Sequence, residues 1–159
     1  MRRSVTLIAA GLVAAAVTAG AAVAASSHPF TASYSGRVTE KVVDDAVTGT
    51  VAGKNTAGLA ASTLAGTVKG SQANACSPLS GPGMIKSGKG NIKLTIVTAK
   101  SRACAVSEDD RNHINVSGQV KVNGGTGKYA GATGLLTIKG QYNRSTGQFT
   151  VKFSGSLKY

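Results

Sequence analysis

The stretch INVSGQVKV, residues 114–122, places an apolar residue or a glycine at every second position and a polar residue between them. In a β-strand, residues two apart point to the same face, so this alternation predicts a strand with one face in a core. Gly118 lies in the middle of the apolar face, where a larger side chain is expected. Such a gap either bends a strand or leaves room inside the fold.

A glycine between two apolar residues at this spacing occurs six times in the chain, centred on Gly36, Gly49, Gly66, Gly118, Gly140 and Gly155. Six candidate strands with the same feature favour a small, tightly coiled barrel. Helical periodicity is almost absent, and seven or eight short alternating runs are separated by turn signals. We therefore predict an all-β fold, an antiparallel eight-stranded barrel, with a β-sandwich as the alternative.

The clearest further strands lie at residues 30–38, 64–68, 92–96, 136–142 and 149–157. Residues 43–51 form a weaker candidate, because Asp45 falls on the apolar side. Residues 71–90 are rich in Gly, Ser and Pro and are predicted as the longest irregular loop. A short piece around residues 103–106 is one more candidate strand.

The N-terminus has the three parts of a secretory signal peptide. Arg2 and Arg3 precede an apolar stretch over residues 5–17, and the small residues 22–24 resemble a cleavage site. We expect residues 1–25 to be removed and residues 26–159 to form a single domain with no transmembrane segment. The protein is then secreted, and the Ala-rich signal is of a bacterial kind. A retained membrane anchor is the alternative.

Basic residues outnumber acidic ones, 18 to six, and loss of Arg2 and Arg3 leaves a net charge of about +10. The lysines are scattered through the candidate strands and turns. They form either a solubilising surface or a surface that attracts an anionic partner, such as an envelope polymer. Few aromatic residues and no recognised reader motif argue against sequence-specific binding of nucleic acid.

The two cysteines of an exported chain most simply pair with each other. A bond between Cys76 and Cys104 closes a loop of about 29 residues, which is worth about 3 to 4 kcal/mol in the chain-entropy account. The alternative is a reactive or metal-binding thiol. No CxxC motif and no neighbouring histidine supports that alternative.

Residues 124–134, GGTGKYAGATG, form a glycine-rich loop before two strands. A phosphate-binding Walker loop needs Ser or Thr after its lysine and a helix beyond it, but Tyr129 follows Lys128. The dinucleotide-binding spacing fails as well, because Gly131 comes one position late. We expect a compact loop in which Tyr129 and Ala132 pack against the barrel end and glycines adopt positive φ angles.

Together with the strands around it, residues 120–157, this loop resembles the C-terminal part of the allene oxide cyclase and dirigent-like barrels, which are calycin-like. The matching loop residues are Gly124, Gly125, Gly127, Tyr129, Gly131 and Gly134. The resemblance implies an eight-stranded barrel with an apolar cavity, often assembled as a trimer. The activities it implies are cyclisation of an unstable fatty-acid epoxide and steering of radical coupling between phenols. No catalytic residue matches, and no cofactor is expected.

Four aromatic residues alternate in step with the apolar residues of their strands and should therefore point inward. They form the candidate ligand pocket: Tyr34, Tyr142, Phe149 and Phe153. The alternative is that they fill the core, because an eight-stranded barrel is barely wider than its own side chains. A second group, Glu108, Asp109, Asp110 and His113, could hold a metal or act in acid/base chemistry. Consecutive carboxylates before a strand are more often a solvated turn, so we predict no metal.

These features predict a secreted, non-catalytic binding protein. Its ligand is either an apolar small molecule inside the barrel or an anionic extracellular partner on the basic surface. Two alternatives remain, a pocket isomerase or cyclase and a structural protein of the cell envelope. Fold resemblance alone does not transfer an activity.

Overall fold

The computed structural model describes residues 26–159, so the predicted signal peptide lies outside the described residues. The described chain is almost entirely β-structure. Its strands are β1 (Ser27–Val43), β2 (Ala46–Ala57), β3 (Ser62–Ser71), β4 (Cys76–Pro78), β5 (Pro82–Ser87), β6 (Gly90–Ile96), β7 (Arg102–Ala105), β8 (His113–Gly125), β9 (Thr133–Asn143) and β10 (Gln148–Lys158). Two single 3₁₀ turns, Thr98–Lys100 and Gly127–Tyr129, complete it, and neither has the length or apolarity to span a bilayer.

Eight of the strands close into a barrel. Their order is β8-β6-β5-β3-β2-β1-β10-β9, and β9 pairs in turn with β8. Every pairing around the ring is antiparallel. The prediction of an antiparallel eight-stranded barrel is therefore confirmed, and closure removes the free edges that a sandwich would have kept.

The two remaining strands, β4 and β7, form a flap beside the ring. They pair with each other, and β7 also pairs with the first part of β8, whose second part pairs with β6. Cys76 lies directly opposite Cys104 in this flap, and their sulfur atoms are bonded. The predicted disulfide is confirmed, and it fastens the flap across its outer end.

The prediction of an irregular loop over residues 71–90 is wrong, because this segment contains β4 and β5. Ile85 is fully buried, and β5 is held by hydrogen bonds to strands on both sides. A strand this short gains its stability from its neighbours rather than from its own alternation. The predicted strand over residues 43–51 is also interrupted, since Asp44 and Asp45 form the turn between β1 and β2.

The barrel has two unlike ends. The closed end, where β1 begins, is covered by the glycine-rich loop. There Tyr129 and Ala132 are buried, and the Tyr129 ring meets the edge of Tyr159 at 5.3 Å between centroids. Gly127 and Gly131 adopt positive φ angles, so the expected conformation of this loop is confirmed. The open end lies opposite, where β1 and β9 finish.

The repeated glycines mark places where strands approach each other closely. A Cβ atom added at four of the six would overlap or crowd the backbone of the neighbouring strand, namely at Gly36, Gly66, Gly140 and Gly155. At Gly118 it would overlap Ser101, and at Gly49 it would meet the side chains of Val38 and Val68. The missing side chains thus allow tight coiling of the barrel and leave little space at most of these positions.

Candidate functional site

A cavity of about 160 Å³ occupies the half of the barrel interior that faces the open end. Its floor is formed by buried core residues, namely Leu64, Leu94, Val120, Ile138 and Phe153. Its walls include Val38, Val51, Val116, Phe149 and Val151. The flap contributes Ser77 and Ala103, and Leu79, which directly follows β4, also lines the cavity. The lining is overwhelmingly apolar, which suits an apolar ligand.

Three of the four predicted pocket aromatics border this cavity: Tyr142, Phe149 and Phe153. Tyr34 does not. It lies on the packed side, 1% exposed, with its ring 5.9 Å from that of Phe153 in an edge-to-face arrangement. Its hydroxyl oxygen is 2.9 Å from Ser62 Oγ, whose own proton is donated to the Leu59 carbonyl at 2.6 Å, so Tyr34 donates. That bond draws Tyr34 toward β3 and away from the cavity.

Two charged side chains on the rim of the cavity were not predicted from the sequence. Glu40 and Arg144 both line it, beside Tyr142. Arg144 donates from Nη1 to the Arg111 carbonyl at 3.3 Å, whereas its Nε is buried without a partner in the described chain. Strand alternation could have predicted their inward position. Glu40 comes two residues after the inward-facing Val38, and Arg144 comes two residues after Tyr142.

The rim holds the phenol of Tyr142 in its neutral form. Burial raises the pKa of Tyr142 far above its ordinary value, and the negative charge of Glu40 raises it further. The charge of Arg144 opposes this shift only in part. Near neutral pH, Tyr142 is thus a hydroxyl donor beside a carboxylate and a guanidinium, which together can orient a polar group at the mouth.

The raised pKa values predict a loss of stability in alkali. Burial also raises the pKa of Tyr34, so both phenols ionise more easily in the unfolded chain than in the folded one. Their stabilising contribution is complete below the ordinary value of 10.0 and is lost as the pH rises above it. Urea unfolding followed by circular dichroism should show this decline, and Tyr142→Phe should reduce it. An unchanged decline in the variant would contradict the assignment to Tyr142.

The acidic turn before β8 is a capped turn, and within residues 26–159 no three His, Cys, Asp or Glu side chains are grouped to hold a metal. Asp110 Oδ2 lies 2.7 Å from His113 Nδ1, and its Oδ1 accepts the backbone N–H of His113 at 3.1 Å. These hydrogen bonds lower the pKa of Asp110. Both side chains are largely exposed, and Glu108 and Asp109 take no part in the pair. The arrangement fits the solvated turn.

The chain matches the sequence profile of no known protein family, and no curated protein matches it.

Proposed function

We propose that this protein binds a small apolar ligand, or the apolar end of a larger one, in the cavity at the open end of the barrel. The observation that carries the proposal is the apolar volume of about 160 Å³ above a packed floor. An apolar cavity of about 150 Å³ in a protein admits benzene, whereas drug-sized ligands need roughly 300 to 1,000 Å³. A single ring or a short chain fits, and a long chain enters only in part.

The energetic cost of an empty cavity supports occupation. A sealed apolar void of this size costs roughly 4 kcal/mol of packing free energy, which is an upper bound for a cavity that opens at the barrel mouth. That cost is large beside a typical net stability of about 5 to 15 kcal/mol. A ligand that fills the cavity recovers the missing dispersion contacts, and its affinity is the part of that gain that exceeds the cost of association.

The rim indicates what the outer part of the ligand carries. The Arg144 Nε is a buried donor without a partner in the described chain, whereas the neutral Tyr142 hydroxyl is paired with the Glu40 carboxylate. One free donor beside a carboxylate suits a neutral oxygen acceptor attached to the apolar group, because Glu40 would repel a second carboxylate. Benzamide combines a single ring with a neutral carbonyl acceptor for Arg144 and amide donors that suit Glu40.

We place this binding outside the cell. The disulfide between Cys76 and Cys104 supports an oxidising compartment, in which such bonds persist. The signal-like N-terminus supports export from a bacterial cell.

The test is ligand-induced thermal stabilisation with benzene and benzamide. Val116 points into the cavity opposite Gly140, so Val116→Phe fills the volume that the ligand would take. Saturating ligand, at about 100 times its dissociation constant, should stabilise the unmodified protein by about 2.7 kcal/mol. Val43→Phe is the matched control, because Val43 is exposed at the end of β1. It should respond like the unmodified protein, whereas Val116→Phe should not respond. Equal responses of all three proteins would refute the proposal.

A further inference from the structure

The outer face of β8, β9, β10 and β1 carries side chains in straight rows across the strands. The lysine row consists of residues that lie opposite one another on successive strands: Ser117, Lys139, Lys152 and Ser33. The amide row is the next one toward the open end: Asn115, Gln141, Thr150 and Ser35. Since neighbouring strands are about 4.8 Å apart, each row extends for about 15 Å.

The amide row lies in a shallow groove on this face, with a volume of about 710 Å³. The groove also includes Arg37, Val106, Asp110, His113, Asn143 and Gln148. Seven of its fourteen lining residues carry an amide or a hydroxyl. Amides and hydroxyls both donate and accept hydrogen bonds, as the hydroxyl groups of a sugar do.

The lysine row places two positive charges side by side. Lys139 and Lys152 are directly opposite in the β9–β10 pair, where Cβ atoms are about 5 Å apart and like charges repel. All six acidic residues of the chain lie toward the open end, in Glu40, the 44–45 turn and the 108–110 loop. None belongs to either row, so no side chain in the rows neutralises the lysine pair. Asp110 lines the groove beside the amide row, where its carboxylate is paired with His113. An external anion would neutralise the lysine pair.

We propose that the lysine row and the amide row together bind an anionic polysaccharide, with the lysines at its carboxylates and the amides at its hydroxyls. Single-stranded nucleic acid fits less well, because its bases need aromatic side chains to stack on and neither row contains one. An anionic bilayer also fits less well, because the rows contain no apolar side chain that could enter it. The lysine row lies on the outside of the barrel and lines no part of the cavity, whereas Gln141 and Thr150 of the amide row also border it.

Calorimetric titration with polygalacturonate tests the proposal. Binding should weaken as salt is raised, because the lysine contacts are exposed and screened. Lys139→Gln with Lys152→Gln should weaken it by about tenfold at low salt. The matched control is Lys86→Gln with Lys93→Gln, which removes the same charge from β5 and β6. That control should change the affinity by less than about threefold.

The amide row has its own test. Asn115→Ala with Gln141→Ala leaves the net charge unchanged and should weaken polygalacturonate binding without altering its salt dependence. Uncharged dextran should bind more weakly than polygalacturonate. Equal losses in both lysine double variants, or no loss in the amide variant, would overturn the proposal. Tighter binding of single-stranded DNA or of phosphatidylglycerol vesicles through the same lysines would overturn it as well. Val116→Phe should leave all these affinities unchanged, so failure here is separable from failure of the cavity proposal.

Discussion

Replacing Gly140 with alanine should destabilise the barrel by more than about 3 kcal/mol, although it adds only one methyl group. A Cβ atom at Gly140 would overlap the Thr150 carbonyl oxygen and lie 2.9 Å from Val151 Cα, both in the backbone of β10. Backbone atoms cannot rotate away as a flexible side chain can. Strands β9 and β10 would therefore have to separate, with loss of hydrogen bonds next to the cavity wall.

Gly88 provides the matched control for this prediction. It lies between β5 and β6, its φ is not positive, and no atom lies within 4 Å of the place where its Cβ would be. Gly88→Ala should be neutral or stabilising by up to about 1 kcal/mol, because alanine restricts the unfolded chain. Urea unfolding of the two variants measures both effects. Similar stabilities for Gly140→Ala and Gly88→Ala would disprove the close approach of β9 and β10.

Removal of the disulfide should cost about 3 to 4 kcal/mol, since the bond restricts a long loop in the unfolded chain. Cys76→Ser with Cys104→Ser is the variant to use. Because β4 and β7 are short and lie beside the ring, we expect the flap to lose order before the barrel does. Its residues Ser77 and Ala103 line the cavity, so ligand affinity should fall as well.

Hydrogen exchange distinguishes the two parts of that prediction. Amides of β4 and β7 should exchange faster in the double serine variant, whereas amides in β9 and β10 should remain protected under native conditions. A variant that is as stable as the disulfide-bonded protein, with a protected flap, would contradict it.

The alternation of apolar residues sufficed to predict the barrel. A strand with one buried face has a sequence that alternates between apolar and polar residues, as residues 114–122 do. The Cys76–Cys104 bond and the packing of Tyr129 were also predictable. Each of these side chains had few other partners or surfaces available to it. Strand β5 was not predictable, since its hydrogen bonds come from two strands that are distant in sequence.

The site was predicted only in part. Three aromatic residues line the cavity as expected, but parity cannot separate them from Tyr34, which a hydrogen bond to Ser62 holds on the packed side. Glu40 and Arg144 have the inward parity, yet a charged residue at a strand end is normally solvated. Only the three-dimensional structure shows that these two side chains lie beside a cavity. The role of Gly140 was equally hidden, because it depends on the backbone of another strand.

Methyl NMR during a titration with benzene tests the central claim, an apolar cavity that accepts a ligand at the open end. Methyl signals of Val51, Val116 and Ile138, which line the cavity, should shift with saturation. Those of Ile85 and Val122, which are fully buried but outside the lining, should stay nearly constant. An absence of saturable shifts, or equal shifts in both groups, would contradict the account.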